Sequence, residues 1–308
     1  MQNATPWFPH GLYPHCFLLA LIFLALPAIV PQAEPIRPED FDSDRISLSG
    51  DGWTARKHLV HDNNGGERCY VELSVEGTVL HDLPASPSMD WPLEEQNWTR
   101  FHLFETPGGT PDVLAIVWFA GGAHGPLHLY LVGLGGEYPL LFTSSDATFG
   151  YLEDLDGDGM PEAVLYASAF EYFYRSAVTF NHAESPFPLL VAAYDPSQKR
   201  YTWSNERFPD VLVQKEATTE KRFHTRWPGE EKIPVSVAVD QHSNSARAYR
   251  VLMSWAVDAC YRAGPQAGEA IIDAHTDPAL AVFSQHTLTE TLRRDTLYSS
   301  IDFNPVSN

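Results

Sequence analysis

The segment FGYLEDLDGDGMPEAVLY, residues 149–166, is the most informative part of this 308-residue chain. Its ends are built like strands: Phe149 to Leu152 lead in, and Ala163-Val164-Leu165-Tyr166 lead out. Between them Asp154, Asp156 and Asp158 alternate, and Glu162 closes a nine-residue frame. Gly157 and Gly159 permit the unusual backbone angles of a tight turn. Four carboxylates this close repel one another and would open the loop unless a cation offset them. Hard oxygen donors suit calcium, which takes about six to eight of them at about 2.3–2.6 Å. An EF-hand is excluded, because its twelfth position must be a bidentate Glu and here it is Leu165, in a strand instead of a helix. The competing reading is a solvated acidic hairpin with no ion.

Outward from this loop the texture is β from Leu48 to Leu212, with short apolar or alternating runs cut by Gly, Pro, Asn and Asp. Cys69 to Val75 alternates after the turn signal Asn63-Asn64-Gly65-Gly66. Val113–Ala120, Leu127–Leu134, Tyr138–Thr143, Ala163–Phe173, Leu189–Tyr194 and Arg200–Trp203 follow as predicted strands. Their spacing predicts an antiparallel meander. Near Ser243 the period changes: Ala246, Tyr249, Leu252, Met253, Ala256, Val257 and Cys260 recur at helical spacing until Gly264-Pro265. Asp277-Pro278 then reads as a helix start, and Thr287-x-x-Glu290 as the capping box of a last helix.

The fold class expected is mainly β, an antiparallel meander, with an α-helical C-terminal region. The expected divisions are a signal peptide at 1–33, a linker or leading strand at 34–47, a β domain at 48–235 and a helical region at 236–308.

The pattern Asp-x-Asp-Gly-Asp-Gly-x-x-Glu between two strands resembles the calcium loop of FG-GAP or VCBS-type repeats in integrin-like β-propellers. Gly121-Gly122-Ala123-His124 before one strand and Ser185-Pro186-Phe187-Pro188 before another resemble secreted bacterial proteins that carry such repeats. The likeness covers Pro111 to Pro209, about a third of the chain, and its specific part is the acidic loop. It implies that Asp154, Asp156, Asp158 and Glu162 supply side-chain oxygens, and Met160 a backbone carbonyl, to a structural Ca2+. A propeller repeats such a loop from blade to blade, whereas this chain has it once. At about 40–45 residues per blade the β region holds only about four blades. A seven-bladed ring is thereby excluded, and a small or degenerate propeller or a sandwich stays open. A second acidic alternation, Asp40-Phe41-Asp42-Ser43-Asp44, has Arg45 where a glycine is needed and reads as a polar linker.

The N-terminus points to export. Residues 1–33 carry no Asp, Glu, Lys or Arg, and Cys16 to Val30 is apolar apart from Pro27. Those fifteen residues rise about 22 Å as a helix, short of a bilayer core of about 30 Å. They suit the apolar region of a signal peptide cleaved after Ala33, with an uncleaved anchor as the alternative. Cleavage leaves no membrane span and a periplasmic or secreted protein. There Cys69 and Cys260 either pair or sit as two separate buried thiols.

Forty Asp and Glu against 20 Lys and Arg give a net charge of −20, which argues against nucleic-acid binding. His58/His61 and His124/His128 lack a helix and a third ligand, so they read as structural histidines. No GxSxG, phosphate-binding lysine loop or GxGxxG motif is present. Asp146 and Glu153 could form a glycosidase pair only if the fold set them face to face. The aromatics Phe170, Tyr172, Phe173, Tyr174, Tyr194, Tyr201 and Trp203 read either as core or as an exposed surface that stacks sugar rings or anchors a protein partner. The function expected is a non-enzymatic binding module for an envelope or extracellular protein or glycan. The alternative is a glycan-directed hydrolase.

Overall fold

The computed structural model describes residues 34–41, 47–61, 67–85, 99–106, 112–119, 127–144, 147–171, 173, 176–229, 231–238, 240–299 and 301. The signal-peptide reading, the Asn63–Gly66 turn, the Gly121–His124 motif, Asp146, Tyr172, Tyr174 and the Asp42–Asp44 end of the second acidic run lie outside these residues. Among the described residues, twelve strands form three four-stranded antiparallel sheets, each a meander in chain order. The first holds β1 (Ser47–Gly50), β2 (Trp53–His61), β3 (Glu67–Val75) and β4 (Thr78–Pro84). The second holds β5 (Thr99–Phe104), β6 (Val113–Phe119), β7 (Leu127–Gly133) and β8 (Leu140–Thr143). The third holds β9 (Ala147–Glu153), β10 (Glu162–Ala167), β11 (Leu189–Asp195) and β12 (Arg200–Trp203). The fold is mainly β, as expected, with three sheets where chain length suggested about four. The long connection 168–188, between β10 and β11, takes up the difference.

Side-chain alternation explains the strand sequences. In β3 Cys69, Val71 and Leu73 face inward while Tyr70, Glu72 and Ser74 are half-buried, so one face of the first sheet is wet. The middle sheet is covered on both faces. Leu114, Ile116 and Val132 pack with Trp53, Ala55, Val71 and Leu73 of the first sheet. Their neighbours Val113, Ala115, Val117, Leu129 and Leu131 enter the larger core shared with the third sheet and the helices. A strand buried on both faces must be apolar at every position, hence the unbroken run of β6. Each fully buried Leu or Ile contributes about 1.5–3 kcal/mol.

Helices follow the strands: α1 (Pro209–Arg226), α2 (Asn244–Ala263), α3 (Pro265–His275), α4 (Pro278–Leu292) and the short α5 (Thr296–Ser299). The helical part thus begins at Pro209, inside the stretch expected to be β up to residue 235. Its apolar residues hide the period: Val211, Leu212 and Val213 are consecutive, and the positions it buries are Leu212, Thr219 and Phe223. Phe208 and Leu212 cover the outer face of the third sheet, against Val164, Leu189, Val191 and Ala193. The start and end of α2 match expectation. Ser243 accepts from the Ala246 N–H, and Gly264, at φ 89°, ends the helix.

Two capping expectations are corrected. Thr287 and Glu290 lie inside α4, where the Thr287 hydroxyl donates back to the Phe283 carbonyl (3.0 Å) and no new helix starts. Asp277 precedes α4 as expected, but its carboxylate accepts from the Val235 N–H (3.3 Å) and makes no cap.

Cys69 and Cys260 are both buried and do not pair with each other. Cys69 belongs to the core between the first two sheets and Cys260 to the larger core. The leading segment is more than a linker: Ile36 bridges Leu152 of β9, and Phe41 is buried against Phe149.

Candidate metal centre

The acidic turn closes the hairpin between β9 and β10, whose register sets Glu153 opposite Glu162. Gly157 and Gly159 take φ values of 78° and 88°, in the left-handed region that disfavours any side chain. The turn is laced by its own carboxylates. Asp154 accepts from Gly157 N–H (2.8 Å) and Gly159 N–H (3.1 Å). Asp156 accepts from Asp158 N–H (3.2 Å), and Asp158 from Met160 N–H (2.7 Å). Glu162 reaches back from the start of β10 and accepts from Leu155 N–H (2.7 Å). At the exit of the turn, the buried Tyr201 hydroxyl donates to the Pro161 carbonyl (2.9 Å).

Asp154, Asp156 and Glu162 each offer one carboxylate oxygen, and these oxygens all lie within 4.8 Å of one another. Two oxygens on one calcium ion are separated by at most about twice the 2.3–2.6 Å bond length, so the spacing fits. Among the described residues this is the one group of three or more His, Cys, Asp or Glu arranged to hold a metal. Asp158 lies outside the group, with its carboxylate turned to the Met160 N–H. The Met160 side chain is buried in the larger core.

Glu162 is the unusual member. It is 1% exposed, and burial pushes its carboxyl up to about 8, with Asp156, Asp158 and Asp154 adding to the rise. An acid this costly to ionise is one that a divalent cation would stabilise, so the donor set fits a hard metal ion.

One participant was not foreseen from sequence. Arg207, in the turn Asn205–Arg207 after β12, donates from Nη2 to Asp156 Oδ2 (2.7 Å). It lies far along the chain from the loop, and nothing local in either segment announces the contact.

The remaining candidates disperse. His58 pairs with Asp82 (2.8 Å), and His128 stacks on Trp118 at 4.2 Å. Phe170, Phe173 and Tyr201 are buried in the core, and Trp203 packs partly buried against Phe142. No described helix is long and apolar enough to cross a membrane. Comparison with protein-family models, curated proteins and solved structures yields no match.

Proposed function

We propose that this chain is an exported, calcium-stabilised protein of the cell envelope or extracellular space that binds a partner and catalyses no reaction. The observation that carries the reading is the convergence of Asp154, Asp156 and the buried Glu162 in one hairpin turn. The acidic turn is of FG-GAP or VCBS type in this reading, and its ion stiffens the β9–β10 connection. The apolar segment Cys16–Val30 supplies the export step, and the net charge of −20 disfavours nucleic acid as the partner.

Thermal unfolding of the full chain in EDTA, in excess calcium and in magnesium tests the ion. Calcium at about 100 times its Kd stabilises the protein by about 2.7 kcal/mol. The increment disappears in Asp156→Ala and survives in Arg207→Gln. If calcium shifts nothing, while Arg207→Gln alone destabilises the chelated protein, Arg207 is the counter-charge of the turn and the calcium reading fails.

A further inference from the structure

The helical part of this strongly acidic chain gathers cations at one place. Five of its 20 lysines and arginines, Lys221, Arg222, Arg226, Arg247 and Arg250, line a row of recesses between α1, α2 and the turn His182–Glu184. All four arginines meet in the central recess, about 90 Å³ in volume. A recess of about 490 Å³ opens on each side of it: one shares Arg222 and Arg226, the other Arg247 and Arg250.

Of these charges only Arg226, in the last turn of α1, stands where its own helix dipole favours a cation. Arg222 and Arg226 are four apart on α1, and Arg247 and Arg250 three apart on α2, so each pair sets like charges on one helix face. Arg247 stands close behind the cap Ser243, where the helix dipole disfavours a cation, and the first turn of α2 holds no acid. Arg222, Arg226 and Arg247 are exposed and make no salt bridge or side-chain hydrogen bond with a described residue.

Arg250 is different. Its side chain is only 10% exposed. Nε donates to the Thr179 carbonyl (2.8 Å) and Nη2 to the Gln241 carbonyl (3.0 Å), so the guanidinium is held rigidly in the wall. Its Nη1 has no partner among the described residues. Glu184 is the one carboxylate among the residues lining the row. It lies 3.5 Å from Arg250 Nε and also accepts from Asn181 (2.7 Å), so one acid faces five cations.

We infer that this row of recesses is a binding groove for an anionic oligosaccharide, with a carboxylate, sulfate or phosphate group seated among Arg222, Arg226, Arg247 and Arg250. Guanidinium forks match the planar oxygens of such groups. Thr218, Thr225, Asn181 and Gln241 line the flanking recesses. The two threonine hydroxyls donate to the Gln214 and Lys221 carbonyls of their own helix and keep lone pairs for a sugar hydroxyl, while Asn181 and Gln241 are bonded to Glu184 and to the Ala177 and Ala238 carbonyls and shape the wall. A single-stranded nucleic acid would need a series of exposed aromatic rings on which successive bases stack, and the lining of the row presents one exposed ring, His242. The inference rests on the binding role proposed above and names its site and ligand chemistry. It uses none of the residues of the acidic turn.

The test is titration of the calcium-loaded full chain with fluorescent oligogalacturonate and with a sulfated glycosaminoglycan oligosaccharide, which separates carboxylate from sulfate recognition. A neutral dextran oligosaccharide, an oligoglutamate peptide and oligo-dT serve as comparisons. At least one anionic saccharide binds saturably, at least tenfold tighter than dextran, and R222Q/R226Q/R247Q weakens it at least tenfold. R56Q/R200Q/R293Q removes three exposed charges elsewhere and leaves the affinity within twofold. All six positions are exposed, and unchanged circular dichroism verifies the fold of both variants. Flat titrations with both anionic saccharides, or equal binding by the two triple variants, overturn the groove and leave the calcium-stabilised module standing. Tighter binding of oligoglutamate or oligo-dT overturns the saccharide assignment. Shortened saccharide products would uphold the groove and overturn the non-enzymatic reading.

Discussion

Glu162 shows how much one side chain can depend on its surroundings. An exposed glutamate titrates near 4.5, whereas this one is pushed up to about 8 by burial and by three acidic neighbours. In chelated protein the folded state therefore holds an extra proton between those values, and stability falls as pH rises through that window. Glu162→Gln removes the cost and keeps an acceptor for the Leu155 N–H. In EDTA at pH 7 the variant is more stable than the parent by roughly 1–3 kcal/mol, and its calcium-dependent increment is lost. Paired melting curves with and without calcium check both signs at once. A variant less stable in EDTA would show that the carboxylate is already compensated, with Arg207 on Asp156 the nearest candidate. The acids of the turn were legible in sequence because alternation around two glycines is a local pattern. Arg207 was not, because only the sheet order β12-β11-β10-β9 brings its turn to the loop.

At the scale of elements, the α1–α2 pair holds a buried ionic cluster. Asp258 of α2 accepts from Thr219 of α1 (2.7 Å) and lies 3.8 Å from Lys215 Nζ. Beside it Arg262 pairs with Glu216. Burial raises the Asp258 carboxyl from 3.8 to about 6, with Lys215 and Thr219 pulling the other way. The folded state again binds the extra proton, so this group's contribution to stability declines from about pH 4 to pH 6. Asp258→Asn keeps the Thr219 bond and removes that decline. Relative to the parent, the variant gains on the order of 1–3 kcal/mol as pH rises from 4 to 7, measured by urea unfolding at several pH values. A constant difference between the two proteins would mean that Lys215 already holds Asp258 ionised. The two helices differ in how well sequence announces them. α2 shows a regular helical period with a serine cap and a glycine stop, whereas the apolar residues of α1 are too few and too clustered to display one. Strand ends were blurred for a related reason: β10 stops at Ala167, while the apolar run continues to Phe173 through a turn that buries Phe170 and Phe173.

For the whole molecule, the middle sheet gives one face to each of two cores, so loss of the middle sheet opens both cores together. Cys69 and Cys260 report on the two cores separately, and burial pushes both thiols up, Cys260 to about 12. Buried protonated thiols react slowly. In native protein both resist alkylation, and in a urea series both become labelled over the same concentration range, read by mass spectrometry of their peptides. Labelling of Cys69 well before Cys260 would show that the first sheet unfolds alone.

What the amino-acid order determined by itself is whatever repeats over a few neighbours. The acidic strand–turn–strand, the apolar runs of β6 and β11, the start and stop of α2 and the change from β to helical texture are all of this kind. Tertiary structure decided which carboxylates converge, that Glu162 is buried, that Arg207 meets Asp156, that the cysteines lie in different cores, and that four arginines share one recess. Apart from the convergence of the carboxylates within one turn, those facts join positions tens of residues apart. Local periodicity carries the pitch of an element and the side it buries, but what lies opposite that side is fixed only when the elements pack.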